Sequence, residues 1–287
     1  MKNTNKVLAC VDQSRFADHV ADYAAWAAQR LDAPLEFLHV IERHPERSTG
    51  QDHSGAIGID AREHLLDRLS AADEAHSRAA REQGRIFLNR LRQRASAAGV
   101  KQVDMRLRHG ELEQTLAEQE EGVRLLVLAR RGESAEASQR ALGRNVERVV
   151  RALRKPILTV TEGFKTPQRV MIAFDGGTVT RRGVHMVATS PLFRGLPIHL
   201  LMSGKDNANA SRQLDWASTR LKDAGFEVSA VLTAANAHSA IARSVEDEAI
   251  DLLIMGAFGH SALRSLLFGS KTAELLRSAT IPTLLLR

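Results

Sequence analysis

The chain has 287 residues and an ordinary composition, with 44% hydrophobic, 26% charged and only 4% aromatic residues. That length favours two domains of about 140 residues over one compact domain, and no apolar run reaches the roughly 18 residues that a membrane span needs. The formal charge of +6 suits an anionic partner, but the scarcity of aromatic side chains and the lack of a groove-reading motif argue against nucleic acid.

The first residues and the cysteine content indicate the compartment. Residues 1–6 lead directly into a strand-like run, without the apolar core of a signal peptide. The single cysteine, Cys10, has no second cysteine with which to form a disulfide, and this suits a reducing environment. We therefore expect a cytoplasmic protein with no membrane anchor.

Apolar strand-like runs alternate with stretches of helical period along the first half of the chain. Lys6–Asp12 predicts a first strand that ends in an acidic residue, residues 21–30 predict an amphipathic helix, and Pro34–Leu38 predicts a second strand. A polar stretch, residues 43–60, follows. A long helix is then predicted over about residues 61–98.

The second half of the chain repeats the first. Lys6–Asp12 matches Arg169–Asp175 at an offset of 163 residues. Near the end of each copy, Val123–Leu128 matches Ile250–Met255 at an offset of 127 residues. The final apolar runs, which start with Lys155-Pro and Ile281-Pro, match in the same way, so we expect five strands in each copy.

This alternation predicts an α/β fold. Each copy is expected to form a five-stranded parallel sheet with helices on both faces, joined by right-handed crossovers. We place the domain boundary in the linker Glu162–Gln168, which gives an N-terminal domain of residues 1–162 and a C-terminal domain of residues 163–287. Ligands of such open sheets bind beyond the carboxyl ends of the strands, where Asp12 and Asp175 fall.

The most specific motif lies in the second copy. Its apolar run ends in Gly256, and Gly259, Gly269 and Ser270 follow in the pattern Gly-x2-Gly-x9-Gly-Ser. A strand that ends in glycines lets a phosphate approach bare backbone N–H groups, and the predicted helix that begins near Lys271 adds its free N-terminal amides. The pattern favours a phosphate site over the alternative that the glycines only form tight turns, and it does not fit a Walker A loop.

Together these features resemble the universal stress protein family. The resemblance rests on a first strand that ends in Asp, a strand that ends in Met255-Gly256, the glycine motif and a terminal Pro-x-Leu-Leu-Leu strand. It covers nearly the whole chain as two tandem copies. It implies a Rossmann-like, adenine nucleotide alpha hydrolase-like fold and a regulatory protein of the stress response. Some members of the family bind ATP, with the Asp near adenosine and the glycine loop around the phosphates.

The resemblance also implies roles for single residues. Asp175 would accept a hydrogen bond from adenosine, while Ala173 and Ser203 would shape the base and ribose pocket. The remaining residues would border the nucleotide or supply amides, hydroxyls and charge to the phosphates: Met255, Gly256, Phe258, Gly259, Gly269, Ser270, Lys271 and Thr272. Lys271 could equally face solvent. His260 stands where it could reach a phosphate, although a lone loop histidine is more often structural.

The first copy departs from this motif at each decisive place. Ala129 stands where the strand of the second copy ends in glycine, ten residues rather than nine separate Gly132 from Gly143, and Arg144 replaces the serine. We therefore expect one nucleotide per chain, bound in the second copy. Weaker attraction of an anion in the first copy stays open because of three arginines: Arg130, Arg131 and Arg144.

No motif for a nucleophile, a general base or a metal site indicates an enzyme. The patterns Gly-x-Ser-x-Gly, His-Glu-x-x-His and Cys-x-x-Cys do not occur in the sequence. At most, slow ATP hydrolysis is expected, with Mg²⁺ held mostly by phosphate and water. Two functions remain: a nucleotide-gated regulatory protein with an unknown protein partner, and a nucleotide-independent assembly module. ADP, AMP or a nucleotide second messenger would make similar demands on the backbone amides.

The resemblance has one further implication, for assembly. The final strands, residues 156–160 and 282–286, are expected to pair across a pseudo-twofold axis. The chain would then form an intramolecular pseudo-dimer that covers edges prone to aggregation. A further homodimer stays open at this point.

Overall fold

A computed structural model of the chain describes residues 5–41, 59–131, 144–257, 276 and 278–287. Side chains are described at all of these positions except 59–73, 76, 144 and 145. Most of the polar stretch before the long helix and most of the glycine motif therefore lie outside the described residues. In the described part of the chain, no helix is both long enough and apolar enough to cross a membrane.

Strands and helices alternate along the described chain. The strands are β1 (Lys6–Cys10), β2 (Leu35–Ile41), β3 (Val103–His109), β4 (Val123–Ala129), β5 (Ile157–Val160), β6 (Val170–Phe174), β7 (Ile198–Ser203), β8 (Val228–Thr233), β9 (Leu252–Gly256) and β10 (Thr283–Leu286). The α-helices are α1 (Ala17–Leu31), α2 (Ile59–Ala97), α3 (Leu112–Ala117), α4 (Arg144–Ala152), α5 (Thr178–Thr189), α6 (Ala208–Asp223) and α7 (Ala237–Asp247). Leu276 and Ser278 are also helical. The prediction of an α/β fold is confirmed, and α2 is the long helix expected over residues 61–98.

All ten strands form one continuous sheet. Their order is β3-β2-β1-β4-β5-β10-β9-β6-β7-β8, so each half supplies five neighbouring strands in the same order. Neighbouring strands are parallel within each half. The strands β5 and β10 pair antiparallel, with Leu158 opposite Leu284. The sheet therefore has a pseudo-twofold axis between β5 and β10, and neither of these strands leaves an open edge.

Helices cover both faces of the sheet. On one face, called the first face here, α1, α2, α5 and α6 pack on strand residues such as Val127 and Ile254. On the opposite, second face, α3, α4 and α7 cover the alternate strand residues, such as Leu126 and Leu253. Because side chains along a strand alternate between the faces, the strands of a sheet covered on both sides are apolar at successive positions.

The linker between the halves is bound to both of them. Tyr23 on α1 packs edge-on against Phe164, with 4.8 Å between the ring centroids. The Tyr23 hydroxyl accepts a hydrogen bond from the backbone N–H of Lys165 at 3.3 Å. From the second half, the buried carboxylate of Asp251 accepts one from the backbone N–H of Gln168 at 2.9 Å. The linker is thus an ordered connection rather than a loose tether.

Each half also provides an arginine that binds a helix end of the other half. Arg130, directly after β4, donates from its guanidinium to the carbonyl oxygen of Leu276 at 2.6 Å and to that of Ala279. Arg287, directly after β10, donates to the carbonyl oxygen of Leu153, next to the end of α4, at 3.0 Å. Leu153 and Ala279 are equivalent positions of the repeat. The two halves therefore satisfy each other's free helix carbonyls across the pseudo-twofold axis.

Candidate functional site

The candidate site lies where the strand order reverses in the second half. From β6 the chain continues to β7 on one side, while β9 lies on the other side of β6. The crevice beyond the carboxyl ends of these two central strands is the usual ligand position in open α/β sheets. Ala173 of β6 lies directly opposite Met255 of β9. Asp175 follows β6 and Gly256 ends β9, so four of the predicted site residues meet at this edge.

Strand alternation places Ala173, Asp175, Met255 and Ser203 on the second face. Ala173 and Met255 both belong to the apolar layer of that face, and Asp175 and Ser203 keep the same parity along their own chain segments. Met255 is 6% exposed, whereas Ala173 is only partly buried. A small apolar side chain thus lies beside a carboxylate at a place that solvent reaches.

The carboxylate of Asp175 fixes the turn between β6 and α5. Its Oδ1 accepts a hydrogen bond from the backbone N–H of Gly177 at 2.8 Å and another from the hydroxyl of Thr180 at 2.5 Å. Both bonds go to Oδ1, and Oδ2 accepts none from the described residues. The side chain is exposed. One oxygen therefore holds the turn, while the other can accept a hydrogen bond from a ligand.

Residues that the motif did not single out hold this turn in place. Gly176 has φ +74°, a left-handed conformation that favours glycine. Arg181 of α5 donates from Nε to the carbonyl oxygen of Gly176 at 2.9 Å, and its guanidinium lies 4.7 Å from the ring centroid of Trp216. The sequence pattern that could have indicated this turn is Asp-Gly-Gly-Thr-x-Thr directly after a strand. Asp and Thr side chains commonly form hydrogen bonds within such turns.

Ser203 connects two loops at the same edge. Its hydroxyl donates a hydrogen bond to the carbonyl oxygen of Ala235, in the loop after β8, at 2.6 Å. This hydroxyl therefore already uses its one proton in the bond to Ala235, but its oxygen can still accept a hydrogen bond. A ligand that meets Ser203 would have to bring a donor.

Gly256 packs closely against the helix that follows β6. A Cβ at this position would lie 3.3 Å from Cγ1 of Val179 and 3.5 Å from Cγ2 of Thr180, both on α5. The distance to Val179 is shorter than an ordinary van der Waals contact, so the close approach of α5 favours glycine here even without a ligand. The identity of Gly256 alone therefore does not distinguish a phosphate cradle from a tight turn.

The remaining predicted site residues lie outside the described residues: Phe258, Gly259, His260, Gly269, Ser270, Lys271 and Thr272. Their roles stay predictions from the sequence. Among the side chains that are described, no three His, Cys, Asp or Glu residues form a group that could hold a metal ion.

The equivalent edge of the first half is filled differently. Cys10 takes the place of Ala173 and lies opposite Leu128. Cys10 is buried, and burial raises the pKa of its thiol, which therefore stays protonated at neutral pH. The turn after β1 is of the same type as the turn after β6. Oδ1 of Asp12 accepts hydrogen bonds from the backbone N–H of Ser14 at 3.2 Å and from the Ser14 hydroxyl.

Arg130 is one of the three arginines whose attraction of an anion the sequence left open. Its side chain is 8% exposed and donates to carbonyl oxygens of the other half. Burial, together with the nearby charge of Arg131, lowers the pKa of this guanidinium to about 10. Arg130 therefore stays charged at neutral pH, but its charge is directed into the contact between the halves.

Several known proteins are similar to this chain in sequence or in fold. The family model described as Universal stress protein family matches residues 3–161 and 167–287. The chain is 34% identical over 290 residues to Universal stress protein Slr1230 of Synechocystis sp., and the match covers 100% of both chains. A crystal structure of a universal stress protein from Archaeoglobus fulgidus DSM 4304 has a TM-score of 0.72 at 18% identity and covers 100% of this chain and 97% of that chain. A functionally unknown protein, PA1789 from Pseudomonas aeruginosa PAO1, has a TM-score of 0.62 at 17% identity, with 99% and 93% covered.

The two family matches fall on the two halves that share one strand order. The distant structures support the fold, and the sequence matches identify the family over almost the whole chain. The resemblance inferred from the sequence is thereby confirmed. The chain belongs to the universal stress protein family and carries two of its domains in tandem.

Proposed function

We propose that the C-terminal half binds an adenine nucleotide and that the protein acts as a nucleotide-gated regulator of the stress response. The observation that carries this proposal is the meeting of Ala173, Met255 and Asp175 on one face at the carboxyl edge of β6 and β9. An apolar wall next to a carboxylate oxygen with free acceptor capacity suits a flat base linked to a sugar that carries hydroxyl donors.

Each described residue has a role in this proposal. Oδ2 of Asp175 accepts a hydrogen bond from adenosine, while Oδ1 keeps the turn rigid. Ala173 and Met255 contact the base, and the oxygen of Ser203 accepts a hydrogen bond from the sugar or the base. These groups select a nucleoside by shape and by hydrogen bonds, without a reaction.

The phosphates are assigned to the glycine motif on its sequence alone. Amides and hydroxyls come from Gly259, Gly269, Ser270 and Thr272, and Lys271 adds positive charge. Phe258 and His260 border the same loop. A Mg²⁺ ion that arrives with ATP is held mainly by phosphate oxygens and water, because that ion retains much of its hydration. A protein partner then recognises the surface at this edge of the sheet, which nucleotide binding has altered.

A nucleotide-independent assembly module is the second candidate function. Two observations favour it: the halves cap each other's helix ends through their own arginines, and the close approach of α5 by itself favours glycine at position 256. In this alternative the glycine motif only forms turns. The surface that the partner reads would then be the same with and without nucleotide.

Equilibrium titration with a fluorescent ATP analogue separates the two functions. We expect the wild-type protein to bind the analogue and Asp175→Asn to bind it about tenfold more weakly or worse, because a hydrogen bond to a charged acceptor contributes about 1.5–3 kcal/mol. Asp12→Asn alters the equivalent carboxylate of the first half and is the matched control. It should bind as the wild type does.

Thermal unfolding followed by circular dichroism checks that each variant is folded. Asn keeps an Oδ1 acceptor for Gly177 and Thr180, so the turn after β6 should survive the substitution. Absence of binding by the wild type at millimolar analogue, or equal losses in Asp12→Asn and Asp175→Asn, would remove the nucleotide proposal and leave the assembly module.

A further inference from the structure

Strand β8 forms an open edge of the sheet in the described part of the chain. It pairs with β7 on one side and stands last in the order of the ten strands. Ser229, Ala230 and Val231 are all exposed, and the large apolar side chain of Val231 keeps 41% of its surface in contact with solvent. An edge of this kind is a template on which a further strand can pair.

The hydrogen bonds to β7 identify the backbone groups of β8 that face outward. The N–H of Ile198 donates to the carbonyl oxygen of Glu227 at 2.8 Å, and the N–H of Gly204 donates to that of Thr233 at 2.9 Å. Because the bonds of a parallel ladder involve every second residue of a strand, the alternate residues from Glu227 to Thr233 bind β7. The N–H and C=O groups that point to the open edge are therefore those of Val228, Ala230 and Leu232.

The equivalent edge strand of the first half is protected by charge. Strand β3 pairs with β2 in the same way as β8 pairs with β7. Three of its seven residues are charged: Asp104, Arg106 and Arg108. Charged side chains on an edge strand oppose its pairing with another strand. The six residues of β8 include no charged side chain, so this protection is missing there.

A second copy of β8 matches this edge. A twofold axis joins two identical strand edges in antiparallel orientation. With the axis at Ala230, its outward groups meet those of Ala230 in the second copy, and the groups of Val228 meet those of Leu232. This pairing gives about six backbone hydrogen bonds. The antiparallel pairing of β5 with β10 already extends the sheet in the same way between the two halves.

The side chains of two such strands meet without repulsion. In this register Val231 lies opposite Ser229 of the second copy, on the second face of the sheet. The contact removes the exposed apolar surface of Val231 from water. Glu227, the charged residue next to β8 in the chain, lies opposite Thr233 of the second copy. The pairing therefore brings no like charges together along the strand.

We infer that β8 pairs antiparallel with β8 of a second copy of this chain, so that two ten-stranded sheets become one continuous sheet. The interface is small, because a six-residue strand supplies it, and the dimer is therefore weak. The twofold axis places the carboxyl edges of the two C-terminal halves on opposite sides of the extended sheet. Nucleotide binding is not required for this assembly.

Sedimentation velocity of the full-length protein from micromolar to about millimolar concentration tests this inference. The wild type should change from monomer to dimer over this range. Ala230→Pro should raise the dissociation constant at least about tenfold, because proline has no N–H to donate at the centre of the pairing. The N–H of Ala230 does not face β7, so the variant should keep its fold by circular dichroism.

Met105→Pro is the matched control. Val103 and Val228 are equivalent in the strand register, so Met105 of β3 corresponds to Ala230 of β8. The N–H of Leu35 donates to the carbonyl oxygen of Gln102, and the N–H of Met105 therefore also faces away from the neighbouring strand. This variant should dimerise as the wild type does.

Disulfide cross-linking tests the register. Ser229→Cys and Val231→Cys, mixed in equal amounts and mildly oxidised, should form a covalent dimer, because these positions face each other with about 4.5 Å between their Cα atoms. Either variant alone should cross-link much less, since identical positions lie about 7–8 Å apart. The native Cys10 is buried and should not take part.

A wild type that stays monomeric at the highest concentration would overturn the inference. Slow hydrogen exchange of the Ala230 amide in that monomer would show that another segment of the same chain pairs with β8. A dimer that Ala230→Pro leaves intact would also overturn it, as would assemblies larger than a dimer, in which β8 pairs with a different edge. Equal cross-linking in the single variants and in their mixture would contradict the register and the twofold pairing.

Discussion

At the scale of residues, the two halves differ at the end of their fourth strands and in the helix residues that face that end. In the second half Gly256 faces Thr180, whereas the equivalent pair in the first half is Ala129 and Ala17. The strand residue gains a methyl group where Ala17 replaces Thr180, and Phe16 replaces Val179, the side chain nearest to Gly256. The hydroxyl that the aspartate of the first half needs comes instead from Ser14.

His199 is a buried base in the sheet of the second half. It is 4% exposed, its Nδ1 lies 3.0 Å from the hydroxyl of Ser229, and its Nε2 has no hydrogen-bond partner among the described residues. Burial lowers the pKa of this imidazole, and the Glu248 carboxylate only partly opposes that effect. Because the folded state favours the neutral ring, the unfolded chain takes up a proton more readily below about pH 6.5, and the free energy of unfolding falls there.

Urea unfolding above and below about pH 6.5 measures this contribution. We expect His199→Gln to lose less stability on acidification than the wild type, because glutamine does not titrate. Asn209 is exposed and does not titrate, so Asn209→Gln should keep the pH dependence of the wild type. The same pH dependence in His199→Gln and in the wild type would contradict this explanation.

At the scale of elements, the arginines that cap helices across the halves should contribute measurably to stability. Arg130→Met should lower the free energy of unfolding by about 1.5–3 kcal/mol, because it removes charged hydrogen bonds to helix carbonyls that then lie unsatisfied. Urea unfolding measures the difference. Arg182 on α5 is exposed, and Arg182→Met should change stability by no more than about 0.5 kcal/mol. Equal effects of the two substitutions would show that the contact of Arg130 adds nothing.

The elements themselves were largely predictable, because their signals are local. Apolar runs predicted strands such as β1 and β9, and helical period predicted α1 and α2. Local sequence patterns could not predict that Arg130 binds a helix end, because its partner Leu276 is 146 residues away in the chain. That contact exists only because β5 and β10 pair antiparallel, and no local pattern specifies the pairing of two distant strands.

At the scale of the whole molecule, the two halves share one strand order but have different side chains at the carboxyl edges of their strands. The first half has Cys10, Val40 and Leu128 at the positions of Ala173, Ser203 and Met255 in the second half. At these positions the first half thus has a buried thiol and two branched apolar side chains, while the second half has a small residue, a hydroxyl and a flexible thioether. The repeat predicted where both edges lie. The alternation of the strands places these residues on the second face of the sheet.

The glycine motif predicts that the nucleotide binds in the second half of the chain, and this stays a prediction. Of the twelve site residues predicted from the sequence, the five described ones lie at one edge of the second half: Ala173, Asp175, Ser203, Met255 and Gly256. Geometry adds Thr180 and Arg181, which hold the turn and which lie outside the glycine motif.

Native mass spectrometry of the full-length protein with ATP tests the central claim most directly, because it counts bound nucleotides per chain. The predicted result is one adenine nucleotide per chain, lost in Asp175→Asn and kept in Asp12→Asn. The claim that the C-terminal half is the nucleotide-binding half would be contradicted by two bound nucleotides per chain or by none. It would also be contradicted by one nucleotide that is lost in Asp12→Asn and kept in Asp175→Asn.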